Sequence, residues 1–485
     1  MSENPTLSDS ASSAVPWPQP EASLYPALVA AVSGTVTLPG DEAYEASRRV
    51  WNGMIDVLPA AVVRAASPDD VAPVLAFAQA TGLPLAVRGG GHNVAGNGTV
   101  DGGIVLDVGG LRTVEVDPIA RTVTVGGGAT LADVDTATVP FGMAVPLGVV
   151  SKTGVAGLTL GGGVGWMTRS HGLSVDNLLG ADVVLADGTM VHASAEEEPE
   201  LFWGLRGGGG NFGVVTSFTF QAWPVPDTVY SGNLVYNADR FPDALRAFDA
   251  WTGDLPDELT SIASFLVPPP DWDMGDDPIL AVGFAWAGED HQAADDAVRR
   301  LRKLAPPDAE MVDPVLWTDW QSSVDPLFPD GSRAYWKNTS FDALDADVIE
   351  VLTRRGREQA WRGTGFDIHH MGGAFARVPE DATSFPVRGA GYWLNVYGFW
   401  NDQADDEHHT AFVRGLAADM EPHASGGQYV NFMGAEDPVQ AAPSVYSGEK
   451  LARLAALKQA VDPGNLFRRN HNIAPAGTSG PAQRQ

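Results

Sequence analysis

Leu83-Pro84-Leu85-Ala86-Val87-Arg88-Gly89-Gly90-Gly91-His92-Asn93 is the stretch on which the reading of this chain turns. The apolar run 83–87 has the length and composition of a short buried strand. Three glycines follow. They remove every Cβ, so the backbone can turn sharply and approach a ligand closely. Successive N–H groups in such a turn can cradle phosphate oxygens. A histidine at its end is then held against whatever the turn binds. Taken alone, the same residues also describe a surface turn with an exposed histidine.

Two further glycine clusters lie downstream. Gly148 to Gly165 holds Thr153, Gly154, Gly157, Gly161 and Gly163, and Gly207 to Gly213 precedes Val214-Val215-Thr216-Ser217-Phe218-Thr219-Phe220. Gly208, Gly210 and Gly213 match a G-x-G-x-x-G pattern. They lead into strand alternation and not into a helix, which argues against a dinucleotide-binding βαβ unit. No G-x-x-x-x-G-K-[ST] loop exists, so a P-loop nucleotidase is excluded.

Around these clusters the chain reads as mixed α and β. Tyr44 to Trp51 and Ser67 to Thr81 carry helical spacing, with Ser67 as N-cap and Asp69 and Asp70 in the first turn. Short strands follow at 104–108, 114–116 and 122–125. Ala129 to Phe141 reads as a helix opened by Thr130 and Asp133. A hairpin at 181–193 turns at Asp187-Gly188. Beyond Pro224-Val225-Pro226 the glycine clusters thin out. Nine tryptophans then gather between Trp251 and Trp400, helices alternate with strands, and Gly448 to Val461 is helical.

Composition narrows the function classes. A chain of 485 residues is long for one core, and two domains are expected. No segment approaches the roughly 18 consecutive apolar residues of a membrane span. The first 20 residues lack the basic start and apolar core of a secretory signal, and Ser10 to Pro20 reads as a disordered lead-in. Arg48-Arg49 is followed by no apolar region, so it is not an export signal. A net charge of -31 argues against nucleic acid as partner. Cysteine is absent. Disulfides, thiolate metal sites and a cysteine nucleophile are therefore excluded, and a reducing cytoplasm is suited.

Several motifs agree in their spacing: Arg88-Gly89-Gly90-Gly91-His92-Asn93, Gly154 to Gly165, Gly207 to Thr216, Tyr429-Val430-Asn431-Phe432 and Asn470-His471-Asn472-Ile473. With them the chain resembles the berberine bridge enzyme-like FAD-linked oxidases of the vanillyl-alcohol oxidase/p-cresol methylhydroxylase superfamily. The bacterial branch that includes 6-hydroxy-D-nicotine oxidase is most similar around Thr153 to Trp166. The resemblance implies an α+β, two-domain vanillyl-alcohol oxidase-like fold. After a lead-in over 1–38, a p-cresol methylhydroxylase-type FAD-binding domain would span 39–225. A substrate domain would span 226–440, 441–475 would return to the FAD domain, and 476–485 would be a tail.

The resemblance also implies the site. His92 would bond covalently to the 8α carbon of FAD. Arg88, Gly89, Gly90, Gly91, Asn93, Gly148, Thr153, Gly154, Gly157, Gly161, Gly163, Gly165, Asn177, Gly213, Val215, Tyr429, Asn431, Asn470 and Asn472 would hold the cofactor, with a capping role as the alternative for Asn470 and Asn472. Relatives with a second link use a cysteine where this chain has Val150, so only one link is possible here. Thr153 falls where the family places a residue near the flavin's reactive face; a strand-end threonine bonded to backbone is the alternative.

A flavin oxidase also needs a group that takes the proton of the O–H or N–H being oxidised. The family often uses a tyrosine at the position of Phe432, which accepts no proton. The strand 392–400 alternates, so Asn395 and Tyr397 share a face, and Tyr397 is the first candidate for base or positioning phenol. Asp367-Ile368-His369-His370-Met371 reads as another strand; its adjacent histidines face opposite ways, and His369 is the one assigned to the pocket. Tyr429 and Asn431 read as neighbours on one strand face beside the flavin. His408 and His409 read as solvated. The tryptophans read mainly as core; two or three lining the cavity would favour a flat or aromatic substrate.

The expected function is hydride removal from a C–H next to an alcohol or amine of a small organic molecule, secondary-metabolite or alkaloid-like. Dioxygen would reoxidise the flavin to give hydrogen peroxide, and no nucleic acid or membrane partner is expected. A flavin dehydrogenase, an oxidative cyclase and a non-catalytic ligand-sequestering flavoprotein are the alternatives.

Overall fold

The computed structural model describes residues 24–434 and 438–477. The lead-in expected over Ser10 to Pro20 and the end of the tail lie outside the described residues. The first sheet contains β1 (Thr35–Thr37), β2 (Ala61–Arg64), β3 (Leu85–Arg88) and β4 (Ile104–Asp107) in the order β1-β2-β4-β3. Both β2 and β3 run parallel to β4. Parallel strands need a long crossover, and the helix Val71–Thr81 provides the one from β2 to β3, on the far side of β4. Ser67 caps the turn that leads into this helix by accepting from the Asp69 N–H. The Asp70 carboxylate accepts from the N–H groups of Ser33, Gly34, Ala66 and Ser67. Val74, Leu75 and Ala78 pack with Leu85, Ile104 and Leu106 in one buried cluster. The helical spacing of 44–51 yields only Tyr44–Ser47, because the Trp51 N–H is committed to the Gly91 carbonyl at 3.1 Å.

Next come β5 (Val114–Asp117), β6 (Thr122–Gly126), β7 (Met143–Ala144), β8 (Leu178–Val184), β9 (Met190–Ser194), β10 (Val214–Gln221) and β11 (Trp223–Pro224). Five of them form an antiparallel sheet ordered β5-β6-β10-β8-β9, and β7 pairs with β11. The third glycine cluster therefore feeds a strand, as its alternation requires. The helix Leu131–Thr138 starts with the full Thr130/Asp133 capping box.

The third sheet holds β12 (Thr228–Asn237), β13 (Leu259–Leu266), β14 (Ile279–Trp286), β15 (Ala309–Leu316), β16 (Arg333–Phe341), β17 (Gly365–His370) and β18 (Tyr392–Trp400). Its order is β15-β12-β14-β13-β17-β18-β16, antiparallel throughout. The helices Phe241–Thr252, His291–Leu304, Ala346–Glu358 and Asp406–Met420 cover one face, where Phe265, Phe366, Leu394 and Val396 enter the core. The last of these helices corrects the solvated reading of His409. That side chain is buried, bonds Thr364 Oγ1 through Nδ1 at 2.8 Å, and stacks on Trp400. His408, one residue earlier, stays exposed.

The chain then returns to its first half. The helix Gly448–Val461 buries Leu454 and Leu457 in the cluster that holds Leu201, Phe202 and Phe212. Lys458 is fully buried. Its Nζ donates to the Asp462 carboxylate at 2.6 Å and to the carbonyls of Asn211 and Phe467, both at 2.7 Å. Among the described residues no helix is long and apolar enough to cross a membrane.

Charged side chains join the seven-stranded unit to the glycine-rich half. Both oxygens of Asp176 accept from the Arg388 guanidinium, at 2.7 and 2.8 Å, with both side chains buried. Arg169 donates to the carbonyls of Leu259, Met371 and Leu255 across the same boundary. Arg388→Ala leaves Asp176 buried without its cation and is expected to cost about 3–5 kcal/mol. Urea unfolding of the variant measures this loss, and adding Asp176→Asn is expected to recover part of it.

Candidate active site

A cavity lies between the glycine-rich half and the seven-stranded sheet. Its first wall begins with the turn after β3. Arg88 anchors that turn: its guanidinium donates to Asp107 at 2.8 Å, to the Ser47 carbonyl at 2.7 Å and to the Arg49 carbonyl at 3.2 Å. It lines the cavity with its charge already paired. Gly91 holds φ at +68°, in the region glycine enters without steric cost. Gly90 lies directly on Gly154: a Cβ on Gly90 would stand 2.5 Å from the Gly154 nitrogen. The second glycine cluster is thereby pressed against the first with no side chain between them.

His92 ends the turn. Its imidazole stacks on Trp51 at 4.5 Å with 17° between planes. Its Nε2 is enclosed without a hydrogen-bond partner. Burial pushes the imidazole down to about 4, so the ring is neutral at neutral pH and has a nucleophilic nitrogen.

Asn93, Gly148, Thr153, Gly157, Gly161, Gly213, Val215 and Asn470 share the cavity lining with the turn. A Cβ on Gly157 meets no protein atom within 4 Å, whereas one on Gly161 would strike Asn431. Thr153 donates its N–H to the Val150 carbonyl, and its own carbonyl accepts from Leu131. Its backbone is thus bonded and the residue lines the cavity, but it lies in a bend before the helix Val155–Gly161 and not at a strand end. Asn470 donates to the Gly210 carbonyl at 3.0 Å, clamping the chain's return onto the third glycine cluster.

Tyr429 and Asn431 lie in a different backbone form from the expected strand, because Val430–Phe432 is a single 3-10 turn. The two side chains still meet. Asn431 Nδ2 donates to the Tyr429 hydroxyl at 2.8 Å and to the Leu158 carbonyl at 2.9 Å, and the hydroxyl also accepts from the Gly163 N–H. Burial pushes the Tyr429 phenol up to about 12.

Four expected cofactor residues lie outside the cavity lining. Gly163 and Gly165 permit close packing, since a Cβ would lie 2.0 Å from Ser174 Oγ and 1.9 Å from the Leu147 carbonyl. Asn177 bonds the carbonyls of His171 and Leu173 and accepts from the Trp223 indole. Asn472 is absent from the lining.

The opposite wall is the uncovered face of the third sheet, and strand register builds it in rows. Ser264, Asp367, Asn395 and Asn338 are successive partners across β13, β17, β18 and β16; Ile262, His369, Trp393 and Ser340 form the next row. Residues directly opposite share a face. Asp367, His369 and Asn395 line the cavity, with Phe328, Trp336 and Phe432 as aromatic walls. His370 takes the other side, as alternation requires. Trp336 is the one lining residue among the nine tryptophans; Trp251, Trp286 and Trp400 belong to the helix-covered core.

Tyr397 is one row further out. Its ring packs with Trp51, Trp336 and Phe399, and its hydroxyl donates to Asp367 Oδ1 at 3.1 Å. Burial and the neighbouring Asp367 raise its pKa well above the usual phenol value. Tyr397 therefore meets the cavity through Asp367. The Asp367 carboxyl is raised to about 6 by burial, opposed by hydrogen bonds from Ser264 and Tyr397. His369 is held down to about 4 by burial, and its Nε2 has no partner. Asp367 was missed in the sequence, although Asp367-Ile368-His369 places it on the same strand face as His369.

These residues fit a dinucleotide flavin. A glycine-lined cleft admits a long flat group, a neutral imidazole whose Nε2 has no partner lines it, and a buried carboxylate lies on the far wall. Gly90→Ala tests the cleft. It is expected to lower bound FAD per polypeptide and the unfolding temperature, as measured by flavin absorbance and thermal melting. Gly448→Ala, where a Cβ meets nothing within 4 Å, is expected to leave both unchanged.

Comparison with known proteins agrees with this architecture. Residues 59–194 match the FAD binding domain family and residues 428–474 match the berberine and berberine-like family. The chain is 29% identical over 467 residues to (R)-6-hydroxynicotine oxidase of Paenarthrobacter nicotinovorans, covering 92% of this chain and 98% of that protein. It is 27% identical to glucooligosaccharide oxidase of Sarocladium strictum, covering 90% and 91%. The crystal structure of 6-hydroxy-D-nicotine oxidase from Arthrobacter nicotinovorans superposes with a TM-score of 0.83 at 28% identity, over 91% of this chain and 98% of that one.

Proposed function

We propose that this chain, a berberine bridge enzyme-like FAD-linked oxidoreductase of the vanillyl-alcohol oxidase/p-cresol methylhydroxylase superfamily, is an oxidase whose single covalent flavin tether is His92. Its substrate is a small organic molecule that loses a hydride from a C–H next to an alcohol or amine. The observation that carries this reading is Asp367, a buried carboxylate on the wall opposite the glycine turn. Phe432 accepts no proton, and Asp367 is the group that can take the one leaving the O–H or N–H.

The chain's residues divide the work. Arg88 and the stacked glycines hold the turn, and His92 presents a neutral ring. Tyr397 and Ser264 bond Asp367 and fix its carboxylate, a positioning role for Tyr397. Asn395 Oδ1 and His369 Nε2 are free to accept hydrogen bonds from the substrate. Phe328, Trp336 and Phe432 enclose a flat apolar body. Bound FAD supplies the hydride acceptor and, on meeting dioxygen, the route to hydrogen peroxide. Among the described lining residues the one cationic side chain is Arg88, already paired with Asp107. An ionised Asp367 therefore favours a neutral or cationic substrate and disfavours a carboxylate. This supports an alkaloid-like amine or alcohol. The absence of cysteine and the place of Val150 support one link only, and the lack of cysteine suits a cytoplasmic setting.

The ionised carboxylate is the active form of Asp367, so kcat/KM is expected to rise with pH through about 6 and then level off. Asp367→Asn is expected to lower kcat/KM by about 10²–10⁴-fold and to abolish that limb; an unchanged profile would dismiss Asp367 as base. Acid precipitation tests the tether: FAD fluorescence should stay with the wild-type polypeptide and leave it in His92→Ala. Peroxide release across a panel of amines and alcohols separates turnover from sequestration. Reduced flavin that persists for minutes in air would favour a dehydrogenase.

A further inference from the structure

Trp51 belongs to none of the motifs that build the cavity. It comes from the segment before β2 and is 5% exposed. Its N–H donates to the Gly91 carbonyl at 3.1 Å, and its carbonyl accepts from the Gly331 N–H at 2.9 Å. Its indole Nε1 donates to the Phe328 carbonyl at 3.3 Å. The rings of Trp336 and Phe399 meet it edge-on at 6.0 and 5.7 Å. The glycine turn and the seven-stranded unit therefore fix the indole from both sides.

His92 is held differently. Nε2 makes no hydrogen bond, and the terminal torsion of a histidine is intrinsically broad. Besides a hydrogen bond to the backbone of His92 itself, the stacked face of Trp51, 4.5 Å away, restrains the plane of the ring. For an imidazole nitrogen to bond a carbon, its lone pair must point at that carbon, and a small misalignment is costly in rate.

We propose that Trp51 is a positioning residue for flavin attachment: its stacked indole holds the His92 ring in the orientation from which a nitrogen reaches the 8α carbon of FAD. This rests on the reading that His92 is the tether. In the net reaction the imidazole N–H and one C–H of the 8α methyl group break, and one N–C bond forms. The two hydrogens, with their two electrons, leave on dioxygen as hydrogen peroxide. Trp51 exchanges neither proton nor electron. Its π face also favours the positive charge that the imidazole carries while the N–C bond forms.

The test compares wild type, Trp51→Phe and Trp51→Leu as full chains. Total FAD is measured by absorbance before denaturation, and linked FAD by what remains on acid-precipitated polypeptide. The time course of linkage after adding FAD to flavin-free protein is followed alongside. Trp51→Leu is expected to bind FAD but link it about ten- to a hundredfold more slowly, and Trp51→Phe, which keeps a stacked ring, to restore most of the rate. Linkage in Trp51→Leu as fast as in wild type overturns the proposal, and so does Trp51→Phe as slow as Trp51→Leu. Should Trp51→Leu fail to fold, Trp51→Met replaces it with the same two outcomes. Wild-type flavin that washes off would instead overturn the tether itself, a result that needs no Trp51 variant.

Discussion

The contact of the Gly90 and Gly154 backbones is the constraint from which the site is built. The two glycine-rich segments come so close there that no side chain fits between them. The turn that carries His92 and the segment that carries Thr153 thus share one surface. Around that contact the protein supplies ordinary packing. The buried Arg88–Asp107 pair holds the turn from behind, and the Thr130 cap positions the helix whose first residue, Leu131, bonds the Thr153 carbonyl.

The opposite wall is made by register. One face of the seven-stranded sheet is sealed by four helices, and the other keeps a polar row through Ser264, Asp367, Asn395 and Asn338. Burial raises the carboxyl there to about 6, and hydrogen bonds from two hydroxyls oppose that rise. The sheet gives that carboxylate a rigid mount, while the aromatic side chains around it shape the space. On the proposed reading, chemistry and selectivity are carried by different residues of one surface.

What could be read in advance follows the range of the interactions involved. The Gly-His turn, the Ser67 and Thr130 caps and the strand after Gly213 depend on residues close in sequence, and the structure has them where periodicity and motif place them. Asp367 depends on which strands become neighbours. The alternation that exposed Asn395 and Tyr397 applied equally to Asp367 and His369, but nothing local told that β17 lies beside β18. Trp51 is further from view, since its role arises from contacts with residues 91, 328 and 331. His409 shows the converse: an acidic neighbourhood suggested water, and a tertiary stack on Trp400 buried it. Asn177 shows that a polar residue in the right region can be consumed by local backbone bonds.

The return of residues 448–473 to the first half of the molecule bears on how the protein is made. Lys458 and Asn470 bond the carbonyls of Asn211 and Gly210, more than two hundred residues earlier. On the ribosome, the glycine-rich half emerges long before the segment that completes it. The inserted sheet can form meanwhile, since its strands pair with one another. The flavin cleft therefore matures last, by a contact between distant parts of the chain. A shortened chain that lacks this return has no finished place in which to keep a flavin.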